Sequence, residues 1–178
     1  PGDWGTDSTK WGGALNNQLS IKTDGTLWAW GDNSHGQSGV NNRTTYSSPT
    51  QIPGTTWKSV SGGKYYYSAG TKTDGTLWTW GRGDDDMNLG HNDRTSYSSP
   101  TQIPGTTWNI VECGFNVAFA TKTDGTAWAW GNSYQGQMGL NAPNIRYSSP
   151  VQLPGTWTNM LPNKHFYNNA GLKRASLN

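Results

Sequence analysis

The sequence holds one cysteine, Cys113, and one glutamate, Glu112. A lone thiol excludes an intrachain disulfide and a thiolate metal cluster, and its expected role is that of a small buried apolar side chain. A lone glutamate, beside aspartates that mostly fall in turns, leaves no carboxylate pair for general acid–base work. Charge of either sign is scarce: Asp, Glu, Lys and Arg together make up 13% of the 178 residues, about half the usual share. The net charge is +2 and the basic residues are scattered, so no electrostatic footprint for nucleic acid or an anionic membrane is visible. No apolar run approaches the roughly 18 residues of a membrane span. No signal peptide is recognisable either, but the chain opens on Pro1 and reads as processed or as a piece of something longer, so that absence excludes nothing. His35, His91 and His165 fall at different places within the repeat units described below, with no His or Cys partner at metal-ligand spacing. Neither a nucleophile elbow nor a phosphate-cradling glycine loop is present. No cofactor is implied.

What the chain does contain is glycine, neutral polar residues and tryptophan. Eleven Trp are a large payload of rigid apolar area for a polar chain and can stand in for missing Leu and Ile. Lys22-Thr23-Asp24-Gly25-Thr26-Leu27-Trp28-Ala29-Trp30-Gly31 returns nearly unchanged at Lys72 to Gly81 and at Lys122 to Gly131. Self-similarity at about this period marks a propeller or solenoid, in which each unit buries its apolar face against the next. The units read as residues 1–52, 53–103 and 104–153, with a partial fourth at 154–178 that supplies Trp157 and Lys173 and replaces the turn with Arg174-Ala175-Ser176. Each full unit carries a Gly-rich approach, the Thr-Asp-Gly-Thr block, Trp-x-Trp-Gly, a polar loop and Tyr-Ser-Ser-Pro. Short strands divided by Gly and Pro, with no sustained helical period, predict an all-β architecture.

Asp-Gly between strand-forming residues signals a hairpin, and a two-residue type I′ loop is expected at Asp24-Gly25, Asp74-Gly75 and Asp124-Gly125. That register sets Ile21 opposite Trp28 and Leu19 opposite Trp30 on a large face, with Ser20 opposite Ala29 and Lys22 opposite Leu27 on a small one. In the second unit it puts Ala69, Thr71, Trp78 and Trp80 on the large face. In the third it puts Phe119, Thr121, Trp128 and Trp130 there. Stacked blades would then lay Trp28, Trp30, Trp78, Trp80, Trp128 and Trp130 against the small face of a neighbour.

Gly25 to Gly39, with its Trp-Ala-Trp-Gly-Asp-Asn-Ser-His-Gly-Gln-Ser-Gly core, closely resembles the regulator-of-chromosome-condensation repeat, as does Trp128 to Leu140. Val60-Ser-Gly-Gly and Val111-Glu-Cys-Gly are similar to that family's Val-x-x-Gly strand, while Arg82 to Gly90 has lost the Gly-Gln pair. The resemblance implies β-propeller blades of about 50 residues, seven of which usually close a ring. Three and a half units imply an incomplete ring or half-propeller, with exposed sheet faces and edges unless something covers them. Either the sequence is an excerpt or chains complete one another, as a ring or an open filament.

Candidate binding positions lie on the loops: Asn33, His35, Arg82, Asp84, Asp85, Asn132 and Tyr134, with Tyr65-Tyr66-Tyr67 nearby in the second unit. Asp84-Asp85-Asp86 could face a hard cation, but lacks the alternating ligands of a calcium loop and reads as a solvated acidic tip. Arg82-Gly83-Asp84 spells an adhesion tripeptide, and Asn42-Arg43-Thr44 is a glycosylation acceptor in a secreted context. The favoured expectation is a non-enzymatic structural or assembly module that self-associates, on a cell or phage surface or otherwise extracellular. A glycan- or protein-binding propeller is the alternative. The family's best-known roles, nucleotide exchange on a small GTPase and ultraviolet-B sensing, would need a complete ring or a Gly-Trp-Arg-His-Thr motif that this chain lacks.

Overall fold

A computed structural model describes residues 3–84, 88–142, 144–161 and 171–174. The described chain is all-β apart from one short 3-10 turn, Ser8–Lys10, capped by the Asp7 carboxylate at 2.8 Å from the Thr9 N–H. Three four-stranded antiparallel sheets follow one another in simple meander order. The first blade is β1 (Trp11–Gly12), β2 (Asn17–Ile21), β3 (Leu27–Gly31) and β4 (Tyr46–Ile52). The second is β5 (Trp57–Gly63), β6 (Tyr67–Lys72), β7 (Leu77–Gly81) and β8 (Tyr97–Ile103). The third is β9 (Trp108–Cys113), β10 (Val117–Lys122), β11 (Ala127–Ser133) and β12 (Ile145–Leu153), and β13 (Trp157–Leu161) then pairs with β14 (Gly171–Arg174).

The Asp-Gly hairpins correct the expected register by one residue. Ile21 pairs with Leu27, Ser20 with Trp28, Leu19 with Ala29 and Gln18 with Trp30. The loop has three residues, closed by Lys22 N–H to Thr26 O at 2.9 Å and Gly25 N–H to Lys22 O at 2.9 Å. Gly25, with φ +79°, supplies the left-handed residue, and Asp24 is not among the positive-φ positions, so a type I turn with a glycine bulge replaces type I′. The reason is visible in the Asp24 carboxylate, which accepts from the Thr26 N–H at 2.9 Å and its hydroxyl at 2.6 Å. Asp74 and Asp124 repeat the arrangement.

A one-residue slip moves a strand's partners to the other face. Leu27 therefore joins Leu19, Ile21 and Ala29 on one wholly buried aliphatic face. Trp28 and Trp30 share the opposite face with Ser20 and Gln18. In the second blade Trp78 lies opposite Gly70 and Trp80 opposite Ser68, and in the third Trp128 lies opposite Ala120 and Trp130 opposite Ala118. The small residues thus sit on the tryptophans' own face and leave room for the rings. The neighbour receives those rings on its aliphatic face. Trp57, Val60 and Trp80 pack on Leu19, Ile21, Leu27, Ala29 and Ile52, and Trp130 and Trp108 join the cluster around Tyr67, Ala69, Leu77 and Ile103.

Strand β5 packs on β1 and β2, and β9 packs on β5 and β6, so the first strand of each blade lies toward the hub. The last strand of each blade is outermost. There Pro49 falls within a register shift, between Ala29↔Thr50 and Gly31↔Tyr46, where a missing N–H costs the ladder nothing and an exposed edge is blunted.

At the fourth unit the sequence alignment shifts by one. Arg174, not Lys173, lies opposite Trp157, as Lys72 lies opposite Trp57 and Lys122 opposite Trp108. The turn residues Ala175 and Ser176 lie outside the described residues.

Candidate functional site

The sites with the most chemistry are the joints between blades. Across the first joint the Trp80 indole N–H donates to the Gln37 carbonyl at 2.9 Å, and the Ser68 hydroxyl donates to the same oxygen at 3.0 Å. Across the second, Trp130 donates to the Asn88 carbonyl at 2.8 Å. The accepting loop closes over the ring at a glycine: a Cβ on Gly39 would lie 2.7 Å from Trp80 Nε1, and one on Gly90 2.9 Å from Trp130. Farther out, Asn41 N–H donates to Ser98 O at 2.8 Å and Asn92 N–H to Ser148 O at 2.6 Å. The polar loops of the first and second blades therefore each clasp the following blade at its tryptophan strand and at its Tyr-Ser-Ser-Pro strand.

A second device repeats with the blades. The Lys22 ammonium lies 3.8 Å from the Trp28 ring centroid and 5.0 Å from that of Trp4. Lys72 sits between Trp78 and Trp57 at 4.3 and 4.8 Å, and Lys122 between Trp128 and Trp108 at 4.5 and 4.6 Å. Such cation–π contacts suit a protein with few carboxylates to pair its lysines. Sequence reasoning missed the inner member of each pair, Trp4, Trp57 and Trp108. The signal was present, because Pro1-Gly2-Asp3-Trp4 is a shortened copy of Pro53-Gly54-Thr55-Thr56-Trp57.

The two ends of the stack differ. On blade 1 the tryptophan face has no preceding blade among the described residues; Trp28 and Trp30 are half-buried, with Trp4 5.9 Å from Trp30 and 6.0 Å from Trp11. On blade 3 the hub half of the aliphatic face carries β13, whose Trp157 N–H donates to Gly125 O at 2.8 Å as Trp57 does to Gly25. No tryptophan strand follows β14 among the described residues.

The loop candidates separate into three kinds. Asn33 is fully buried; its amide donates to Asn42 O at 2.9 Å and accepts from Ser38 N–H at 2.9 Å, so it shapes its own loop. Asn132 is likewise buried, with its N–H on Asn116 O at 2.8 Å. His35, Arg82 and Asp84 come together where the first two blades meet. The His35 ring lies 4.6 Å from Tyr66, a residue held at φ +62°, and burial foremost, then repulsion from Arg82, lowers the imidazole pKa. Arg82 Nε pairs with Asp84 at 2.7 Å, an internal bond that draws in both ends of the adhesion tripeptide. Tyr134 stands on the blade 3 loop and is 62% exposed. Asp85 lies outside the described residues.

Among the described residues no group of three or more His, Cys, Asp and Glu is placed to hold a metal ion. Burial, then the neighbouring Glu112, pushes the Cys113 thiol pKa well up, which disfavours a reactive thiolate. The carboxylates of Asp24, Asp74 and Asp124 are held below their ordinary pKa by the threonine hydroxyl and N–H they accept from, which suits turn anchors and not proton donors. An open cleft of about 450 Å³ lies between the N-terminal segment and the first hairpin, lined by Asp7, Lys10, Lys22 and Trp57 among others. No described helix is long and apolar enough to cross a membrane.

Comparison with known proteins follows the same geometry. The chain superposes on Prp20p of Saccharomyces cerevisiae, a structure described with its binding to Gsp1p and histones, at a TM-score of 0.74, with 18% identity over 90% of this chain and 42% of that one. Human WBSCR16 gives a TM-score of 0.69 at 21% identity, over 82% of this chain and 39% of its own. Yeast RCC1 (Prp20) with Kap60 bound gives 0.66 at 22%, over 79% and 36%. The chain thus spans about two fifths of the length of these structures, and at such identities the likeness shows the fold. No curated protein sequence matches at a significant level. The profile of the regulator of chromosome condensation (RCC1) repeat matches residues 24–69 and 74–120, just over half of the chain. Two adjacent in-phase repeats, three blades of one design and propeller neighbours agree: the chain belongs to the RCC1 repeat family.

Proposed function

We propose that this chain is a non-enzymatic assembly module whose blades form a rigid stack and whose open ends bind other protein. The observation that carries the reading is the asymmetry of the joint. Each blade offers a tryptophan face to one side and an aliphatic face with a clasping loop to the other, and on the first blade Trp28 and Trp30 of the tryptophan face are only half-buried. A heterologous contact of that kind closes into a ring or runs on as a filament. The related structures support a protein partner, since Prp20p is described with Gsp1p and histones, and yeast RCC1 with Kap60. Placement on a cell or particle surface belongs to the same proposal and rests on the abundance of neutral polar residues. Light scattering across a concentration series tests self-association: growth to a dimer or polymer, reduced by Trp30→Ala, is expected, and a monomer at every concentration overturns it.

A second reading follows from one cluster. His35 stacked on the positive-φ Tyr66, beside the Arg82–Asp84 pair, combines aromatic faces with paired polar groups, which suits a glycan. A glycan array read with the parent chain and with Tyr66→Ala tests it; no glycan bound by the parent removes the reading.

A further inference from the structure

The run Tyr65-Tyr66-Tyr67 divides into one strut and two surface rings. Tyr67 is wholly buried, and its hydroxyl, 2.9 Å from Val117 O and 3.1 Å from Gly114 O, reaches across the second joint to the hairpin between β9 and β10. The Lys64 N–H donates to Gly114 O at 3.3 Å, so the inner hairpins of blades 2 and 3 are tied at two points. Tyr65 and Phe115 each stand two residues before the next strand of those hairpins. They meet edge to face with centroids 4.6 Å apart, and both rings are only half-buried. The Lys64 ammonium lies 5.0 Å from the Phe115 ring.

Tyr66 turns to the other joint. Its carbonyl accepts from the Arg82 N–H at 2.9 Å, as Asn16 O does from Asp32 and Asn116 O from Asn132. The position holds asparagine in blades 1 and 3, and Asn16 has φ +57°, a left-handed conformation that asparagine tolerates and a bulky side chain disfavours. Tyr66 nevertheless adopts φ +62°, and this strained backbone holds its half-buried ring 4.6 Å from that of His35. Two adjacent residues of one tethered hairpin thus serve two aromatic pairs, His35–Tyr66 at the first joint and Tyr65–Phe115 at the second. The imidazole, the phenolic hydroxyls and the Arg82–Asp84 pair add polar groups beside the rings.

We infer that the two pairs are subsites of one surface that binds an oligosaccharide of at least two sugar rings, one ring to each pair. The apolar C–H face of a sugar packs on an aromatic ring, while its hydroxyls reach the polar groups at the edge. The ties between the hairpins fix both pairs in advance, so a second sugar linked to the first adds affinity at little ordering cost. The inference rests on the glycan reading of His35 and Tyr66 and extends it to Tyr65 and Phe115.

The probes are ladders of mono- to hexasaccharides of glucose, galactose and N-acetylglucosamine, printed as an array, with the best-bound ladder then titrated into the full chain by calorimetry. Binding is expected to tighten at least tenfold from monosaccharide to tetrasaccharide. Phe115→Ala should remove that gain and leave monosaccharide binding unchanged, whereas Tyr66→Ala should weaken every length. Amide exchange at residues 64–66 and 114–116 of the parent chain should slow when the tetrasaccharide is added, a readout that stands if Phe115→Ala fails to fold. Monosaccharide bound as tightly as tetrasaccharide, or a length dependence that survives Phe115→Ala, overturns the second subsite and leaves the glycan reading in place. No sugar of any length bound by the parent removes both.

Discussion

Trp80 donates its indole N–H to the carbonyl of Gln37, 2.9 Å away across the joint between the first two blades. Donor and acceptor are 43 residues apart, both fully buried, and the bond fixes how the second blade sits on the first. The counterpart donor in blade 1, Trp30, is half-buried and has no such acceptor among the described residues.

Truncating the two tryptophans should therefore cost different amounts. Trp80→Ala opens a cavity in a closed joint and is expected to lower stability by about 3–5 kcal/mol, and Trp30→Ala by less than half of that. Urea unfolding followed by far-ultraviolet circular dichroism measures both. Equal losses would mean that the joint is not what holds Trp80.

Alanine at the clasping glycines separates backbone strain from contact. At Gly139 the cost is that of a left-handed alanine, about 1 kcal/mol, because nothing among the described residues lies within 4 Å of the new methyl group. At Gly39 the same strain is joined by a clash with Trp80, so Gly39→Ala should shift the urea midpoint by at least twice as much.

The Asp-Gly turns predict an acid limb in stability. Hydrogen bonds from Thr26, Thr76 and Thr126 lower the pKa of Asp24, Asp74 and Asp124 in the folded state. A depressed carboxylate contributes stability above its unfolded pKa of about 3.9, and loses it as pH falls through the lower folded value. Thermal midpoints between pH 5 and pH 2 should fall less steeply once all three aspartates are replaced by asparagine.

His91 predicts a second, separate pH effect. Its Nε2 lies 2.8 Å from the Thr79 hydroxyl, which also donates to Leu89 O at 2.6 Å, so the ring nitrogen is the donor to Thr79. Burial lowers the His91 pKa, against the opposing pull of Asp93. The folded state therefore favours neutral imidazole, and stability is present above the unfolded pKa of about 6.5 and falls as pH drops below it. Val40 and Leu140 hold this position in the other blades, so His91→Leu should flatten the change in urea midpoint between pH 7.5 and pH 5. The lowered pKa of His35 has the same sign, and His35→Gln should flatten the change further.

By itself the sequence determined the period of 50 residues, the all-β class, the Asp-Gly hairpins and the tryptophan strand, because turn chemistry and repetition are local properties. It left the register open. Asp-Gly serves a two-residue or a three-residue loop, and the choice depends on whether the Asp24 carboxylate takes the Thr26 N–H and whether the Gly25 carbonyl meets the next blade's Trp57 N–H at 3.0 Å. That single residue of slip decided which face is aliphatic. Tertiary structure also decided that Asn33 and Asn132 are loop struts, that His35, Arg82 and Asp84 meet, and that Trp4, Trp57 and Trp108 cage the lysines. The His35 cluster depends on contacts between units, whereas the struts and the cages form within a unit, between residues apart in sequence that meet only once the blade has folded.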